Sequence, residues 1–185
     1  MYLMKKRLLI LLGILSIFGI FISHWYSINL ILEIIISLTI LIIMIYTYKK
    51  EEIGRELLIA VFFALFVTSY FSYNYTSINY LIGKINLFPF IAWTAGLIFT
   101  REVYKKLPFK KEKSKLYVIT GLYLILLFSI EYIGYYLLNI QLSSNYPSLL
   151  GIGIIHGPIG MKAFYLGAGP LYIIITNYLL NDYKK

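Results

Sequence analysis

The chain has 185 residues, 60% of them hydrophobic and only 14% charged, against about 25% charged in a soluble domain. It lacks the polar surface needed to dissolve, and it reads as an integral membrane protein with one domain, 1–185. The absence of cysteine excludes disulfides, thiolate metal sites and cysteine nucleophiles, and two histidines, His24 and His156, are too few for a histidine-rich metal site.

Met4-Lys5-Lys6-Arg7 precedes an apolar run that ends in Ser23-His24-Trp25-Tyr26. No small-x-small cleavage site follows, so a retained first helix is expected rather than a signal peptide. A crossing needs roughly 20 apolar residues, with about 17 tolerated. Segments 8–25, 28–48, 57–73, 88–104, 116–138 and 163–180 meet that requirement. Pro89 suits the first turn of the fourth. The expected fold is therefore all-α: a compact bundle of six transmembrane helices in a multi-pass cell-membrane protein.

The basic residues give this count an orientation. Of the 17, all but Lys84 and Lys162 fall at the N-terminus, the second and fourth connections or the C-terminus. The positive-inside rule then places both termini in the cytoplasm. The net charge of +9 is spread over short connections with no reading element, so no nucleic-acid partner is expected. The dense run 105–115 is read as a topology determinant, with a docking patch for anionic lipid or a cytoplasmic partner as the alternative.

The segment 151–170 holds six glycines and two prolines. A helix interior pays about 1 kcal/mol per glycine and about 3 per proline relative to alanine. A re-entrant loop or half-helix is expected there, turning at Gly157-Pro158 and entering the last helix at about Ala163. Irregular backbone at that depth persists only when buried in protein or lining a wet cavity.

Helix association in lipid depends on close packing through small residues. Stripes of them lie at four-residue spacing: Ala60, Ala64, Thr68 and Ser72 in the third segment, Ala92, Gly96 and Thr100 in the fourth, and Gly19 and Ser23 in the first. All are read as packing surfaces. Trp25, Tyr26, Tyr73, Tyr75, Tyr80, Tyr135 and Tyr136 are read as an outer interfacial belt.

Two carboxylates interrupt the apolar runs. Glu33 shares a stripe with Asn29 and Ser37, and Glu131 shares a face with Gly134 and Tyr135. At about 1.5 Å per residue the two lie roughly 9 and 12 Å below the outer surface, a matching depth that suggests one shared outward cavity. An ionisable group inside a span is costly and marks a functional site by default; the structural alternative is a carboxyl bonded between helices. His156, between flexible glycines, is expected to close over the same cavity, with His24 nearby and Lys84 or Lys162 holding an anionic head group.

These residues support an enzyme acting on a lipid or isoprenoid that enters from the outer leaflet. Glu131 and Glu33 serve as acid and base with His156 assisting, and Asn29, His24, Tyr135, Lys84 and Lys162 bind substrate. A desolvated glutamate retains its proton and can deliver it to a double bond or leaving group. Two alternatives remain: a small-solute carrier or substrate-binding subunit, and a non-catalytic accessory subunit. Membrane lipids and a small hydrophobic or amphipathic ligand are the expected partners, with a second copy or a membrane subunit also possible. No motif calls for a cofactor; a haem held by His24 and His156 is the one variant left open.

Overall fold

The computed structural model describes residues 51–71, 73–76 and 81–180. The chain divides into two compact units, Met1–Gly54 and Arg55–Lys185. The expected crossings at 8–25 and 28–48, together with His24, Asn29, Glu33, Trp25, Tyr26 and the first small-residue stripe, lie outside the described residues.

The second unit is built on four helices: α1 (Glu51–Phe71), α2 (Leu87–Lys106), α3 (Glu112–Tyr132) and α4 (Ile159–Leu179). A two-residue hairpin, β1 (Leu81–Ile82) and β2 (Ile85–Asn86), precedes α2, and a π-helical turn, Ile133–Leu137, extends α3. Among the described residues, three helical stretches are long and apolar enough to cross a membrane: Gly54–Phe71, Glu112–Leu137 and Ile159–Leu179. Helix α2 matches them in length but carries Arg101, Glu102, Lys105 and Lys106 in its last turns.

The burial pattern follows the rule for packing in lipid, with small residues inside and bulky apolar ones outside. On α1, Ala60, Ala64, Val67 and Thr68 are fully buried, while Leu58, Phe62 and Tyr70 are about 70% exposed (70%, 70% and 71%). The outward stripe continues on α3 through Tyr117, Ile125 and Ile130. Such continuous apolar exposure suits lipid and would be a liability in water. The α2 stripe departs from expectation: Thr100 is buried, but Ala92 and Gly96 are exposed. The buried face of α2 carries Ile91, Thr94, Leu97, Ile98 and Arg101 instead.

The expected turn at Gly157-Pro158 leads directly into the last helix, which begins earlier than expected. α4 begins at Ile159, just after an extended Pro158, and runs unbroken through Gly160, Gly167, Gly169 and Pro170, starting a turn before Ala163. Packing offsets the helix-breaking tendency of two of these glycines. A Cβ on Gly169 would sit 2.5 Å from the Tyr123 ring, and one on Gly160 would sit 3.4 Å from Phe71. Irregular backbone is concentrated in the stretch just before α4. There Leu150, Gly151, Gly153 and Ile155 all have positive φ. For a β-branched residue such as Ile155, at φ 52° and only 1% exposed, that conformation is strained.

One member of the expected belt, Tyr73, is buried in the bundle, as are Tyr104, Tyr123, Tyr165 and Tyr172, whereas Tyr136 is exposed. A buried phenol needs a hydrogen-bond partner. Tyr123 donates to the Tyr165 carbonyl at 2.5 Å, Tyr172 donates to the Glu56 carbonyl at 3.0 Å, and Tyr73 accepts from Trp93 Nε1 at 3.2 Å.

Candidate functional site

The helices alternate in direction, so the chain returns repeatedly to the same two ends. At one end, α1 and α4 supply Glu56 and Asn177, and α2 supplies Arg101 and Lys105. Arg101 is 1% exposed; its Nε donates to Glu56 Oε1 at 3.0 Å and its Nη1 donates to Asn177 Oδ1. Lys105 Nζ lies 2.7 Å from Glu56 Oε1 and 3.1 Å from Glu102 Oε1. Asn177 Nδ2 donates to the Tyr104 hydroxyl at 2.8 Å, and Tyr104 donates in turn to Glu112 at the start of α3. All four helices are tied together here, and each buried charge meets an opposite one.

Sequence reasoning missed this cluster. Arg101 and Lys105 had been counted as charges that set orientation, whereas the structure makes them partners of a buried carboxylate. The available signal was that Glu56 and Arg101 lie between one and two turns, and Asn177 about half a turn, inside the same end of the helices.

The opposite end carries the residues singled out from the sequence. Glu131, half-buried near the end of α3, lies within electrostatic reach of Tyr73, Tyr75, Tyr123 and Tyr165. Around it is an apolar cluster of Val67, Tyr73, Ile155, Met161 and Tyr165, with Trp93 and Phe128 packed against it. Among the described residues its carboxyl has no hydrogen-bond partner, so bonding to Tyr, Asn or Lys between these helices is not observed. The π-helical turn begins directly after this residue and Tyr132. Such turns recur at functional sites because the widened backbone re-aims side chains.

About one turn beyond Glu131, Tyr135 stacks on His156 with ring centroids 3.8 Å apart and an interplanar angle of 16°. Together they line a cleft of about 300 Å³ with Thr76, Gln141, Ser143 and Asn145. The surrounding loop is pinned across the bundle end. Thr76 N donates to the Gln141 carbonyl at 2.8 Å, Ser143 N donates to the Asn74 carbonyl at 2.7 Å, and Tyr75 pairs with Leu142 in an isolated bridge. His156 Nδ1 is shielded from solvent and lacks a hydrogen-bond partner. Burial, and then the positive charge of Lys162, push the imidazole below its ordinary pKa, so it is neutral near pH 7.

The remaining candidates separate. Lys162 lies in the first turn of α4, where its Nζ donates to the Ser148 carbonyl at 3.1 Å. Lys84 is exposed in the tight hairpin turn beside Gly83 and does not line the cleft. Nor does Glu131 appear in the lining of this cleft. Among the described residues no group of three or more His, Asp or Glu side chains is placed to hold a metal ion. The chain matches no protein-family model, no curated protein and no solved structure.

Proposed function

We propose that the chain is a multi-pass membrane enzyme that acts on a lipid or isoprenoid, with Glu131 as its proton donor. One observation carries this reading: a carboxyl near the end of an apolar helix, without a hydrogen-bond partner among the described residues and ringed by tyrosines. A structural carboxyl at that depth would be expected to have a bonding partner. Without one among the described residues, it is poised to give its proton to a substrate double bond or leaving group. Aromatic ring faces are suited to the positive charge that develops, because their quadrupole attracts cations. Glu33, outside the described residues, is the proposed base, and His156 assists from the adjoining cleft. Six crossings with both termini cytoplasmic complete the proposed topology, supported by the distribution of basic residues.

The test compares lipid extracts of membranes carrying the wild type and Glu131→Gln by mass spectrometry. General acid catalysis contributes about 10²–10⁴-fold, so a species made only with the wild type should drop by that factor in the variant. Its undiminished formation by Glu131→Gln would remove the acid from the mechanism. The water-facing polar cleft favours a second reading, a solute-binding subunit, in which Glu131 is dispensable for binding.

A further inference from the structure

We infer that the cleft between Tyr135, His156 and Gln141 binds an uncharged, hydroxyl-rich group, either the head group of a neutral glycolipid or a free sugar. Among the described residues, the lining carries its polarity without charge: hydroxyls from Thr76, Tyr135 and Ser143, amides from Gln141 and Asn145, and the His156 ring, with no carboxylate or ammonium. A phosphate or carboxylate entering the cleft would lose water and meet no opposing cation there. Lys162, which is not among the lining residues, donates to the Ser148 carbonyl at 3.1 Å. The neutral imidazole adds no positive charge of its own.

Size and hydrogen bonding agree. About 300 Å³ is room for roughly ten waters at about 30 Å³ each, which suits a single sugar ring. His156 Nδ1 has no hydrogen-bond partner, and an unsatisfied buried polar atom costs free energy that a ligand hydroxyl could offset. Gln141 uses its Nε2 on the Tyr135 carbonyl and its own carbonyl on Thr76. That fixes the floor of the cleft and leaves Oε1 to accept from a ligand.

The position of the cleft deepens the enzyme reading, on which this step rests. Tyr135 follows Glu131 by about one turn, and Tyr75, within reach of Glu131, adjoins Thr76 of the cleft. An amphipathic molecule seated with its head group in the cleft would hold its first apolar bonds beside the carboxyl.

The test uses the full chain in phosphatidylcholine nanodiscs, with histidine ring carbons labelled so that the His156 NMR signal reports binding. The probes are glucose, monoglucosyl diacylglycerol and phosphatidylglycerol. Saturable shifts with either neutral probe, and none with phosphatidylglycerol, are expected. Glucose binding as tightly as the glycolipid identifies a soluble sugar; binding of the glycolipid alone identifies a head group. Asn145→Trp and Ser143→Trp, both at exposed positions, should fill the cleft and weaken binding at least tenfold. Tighter binding of phosphatidylglycerol, no response to either neutral probe, or unchanged affinity in both tryptophan variants overturns the inference. The two readings fail separately. If Glu131→Gln leaves the lipid profile unchanged while the glycolipid still binds, the enzyme reading falls and the cleft stands. If Glu131→Gln abolishes turnover while the wild type binds no neutral probe, the cleft inference falls alone.

Discussion

Replacing Arg101 with methionine should remove the keystone of the charged end. The side chains of Arg101 and Glu56 are 1% and 2% exposed, so solvent does little to screen their interaction. Removing one partner of a buried pair costs about 3–5 kcal/mol, because the other charge stays buried without compensation. Here Lys105, 30% exposed, still lies 2.7 Å from Glu56, which places the pair's contribution near the lower limit, about 3 kcal/mol. Asn177 Oδ1 also loses its donor, adding about 1 kcal/mol. Arg101→Met should therefore lower stability by about 4 kcal/mol. The paired change Glu56→Met with Arg101→Met should cost less than the sum of the single changes, by about 2 kcal/mol, since apolar replacement of a whole buried pair is often neutral. Reversible unfolding in mixed micelles, followed by tyrosine and tryptophan fluorescence, measures all three variants. A loss below about 1 kcal/mol for Arg101→Met, or additivity of the two changes within about 0.5 kcal/mol, would refute the view that this cluster holds the helices together.

Gly169→Ala should cost about 1–3 kcal/mol by overpacking, because its Cβ would fall 2.5 Å from the Tyr123 ring; the penalty should shrink in a Tyr123→Leu background. Burial and Lys162 depress the His156 pKa below 6.5, so as pH falls through 6.5 the unfolded chain takes up its proton before the folded one does. Stability should therefore hold above pH 6.5 and decline below it, and His156→Gln should flatten that decline in thermal unfolding midpoints. Reporter fusions at Lys185 and within 105–115 should both read cytoplasmic; an external signal at either would undo the six-crossing topology.

What the sequence conveyed depended on whether the signal was local. The small-residue face of α1 was legible because Ala60, Ala64 and Thr68 repeat every turn and their partners need only be nearby apolar surface. The start of α4 was not. Helix propensities price glycine in an exposed helix and omit that Gly160, in the first turn, lies against the Phe71 ring. The Arg101 cluster was hidden for a different reason. Its members lie 45 and 76 positions from Arg101 in sequence, and charge counting along the chain carries no information on pairing across it. The tyrosines were ambiguous for the same reason: an interfacial and a buried phenol differ only in which distant carbonyl or hydroxyl takes the hydrogen bond.

The two ends of the unit are built on opposed principles, and the difference bears on the proposed chemistry. The Arg101 end uses paired charges with few water-exposed atoms, an arrangement expensive to open because each separated partner would be left buried and unpaired. The cleft end is held by two backbone bonds between 74–76 and 141–143 that flank the Tyr75–Leu142 bridge and by Ile155, strained though packed in the apolar cluster. Strained backbone pinned by few hydrogen bonds opens more readily than a network of paired buried charges. Access to Glu131 should therefore come from the His156 side, through movement of the loop that carries the cleft, while the charged end keeps the helices in register. Under the proposed enzyme reading, a substrate arriving that way would meet the neutral polar cleft before the carboxyl. Selectivity would then be exercised by hydrogen bonding at the mouth, and proton transfer would follow beyond it in the aromatic interior.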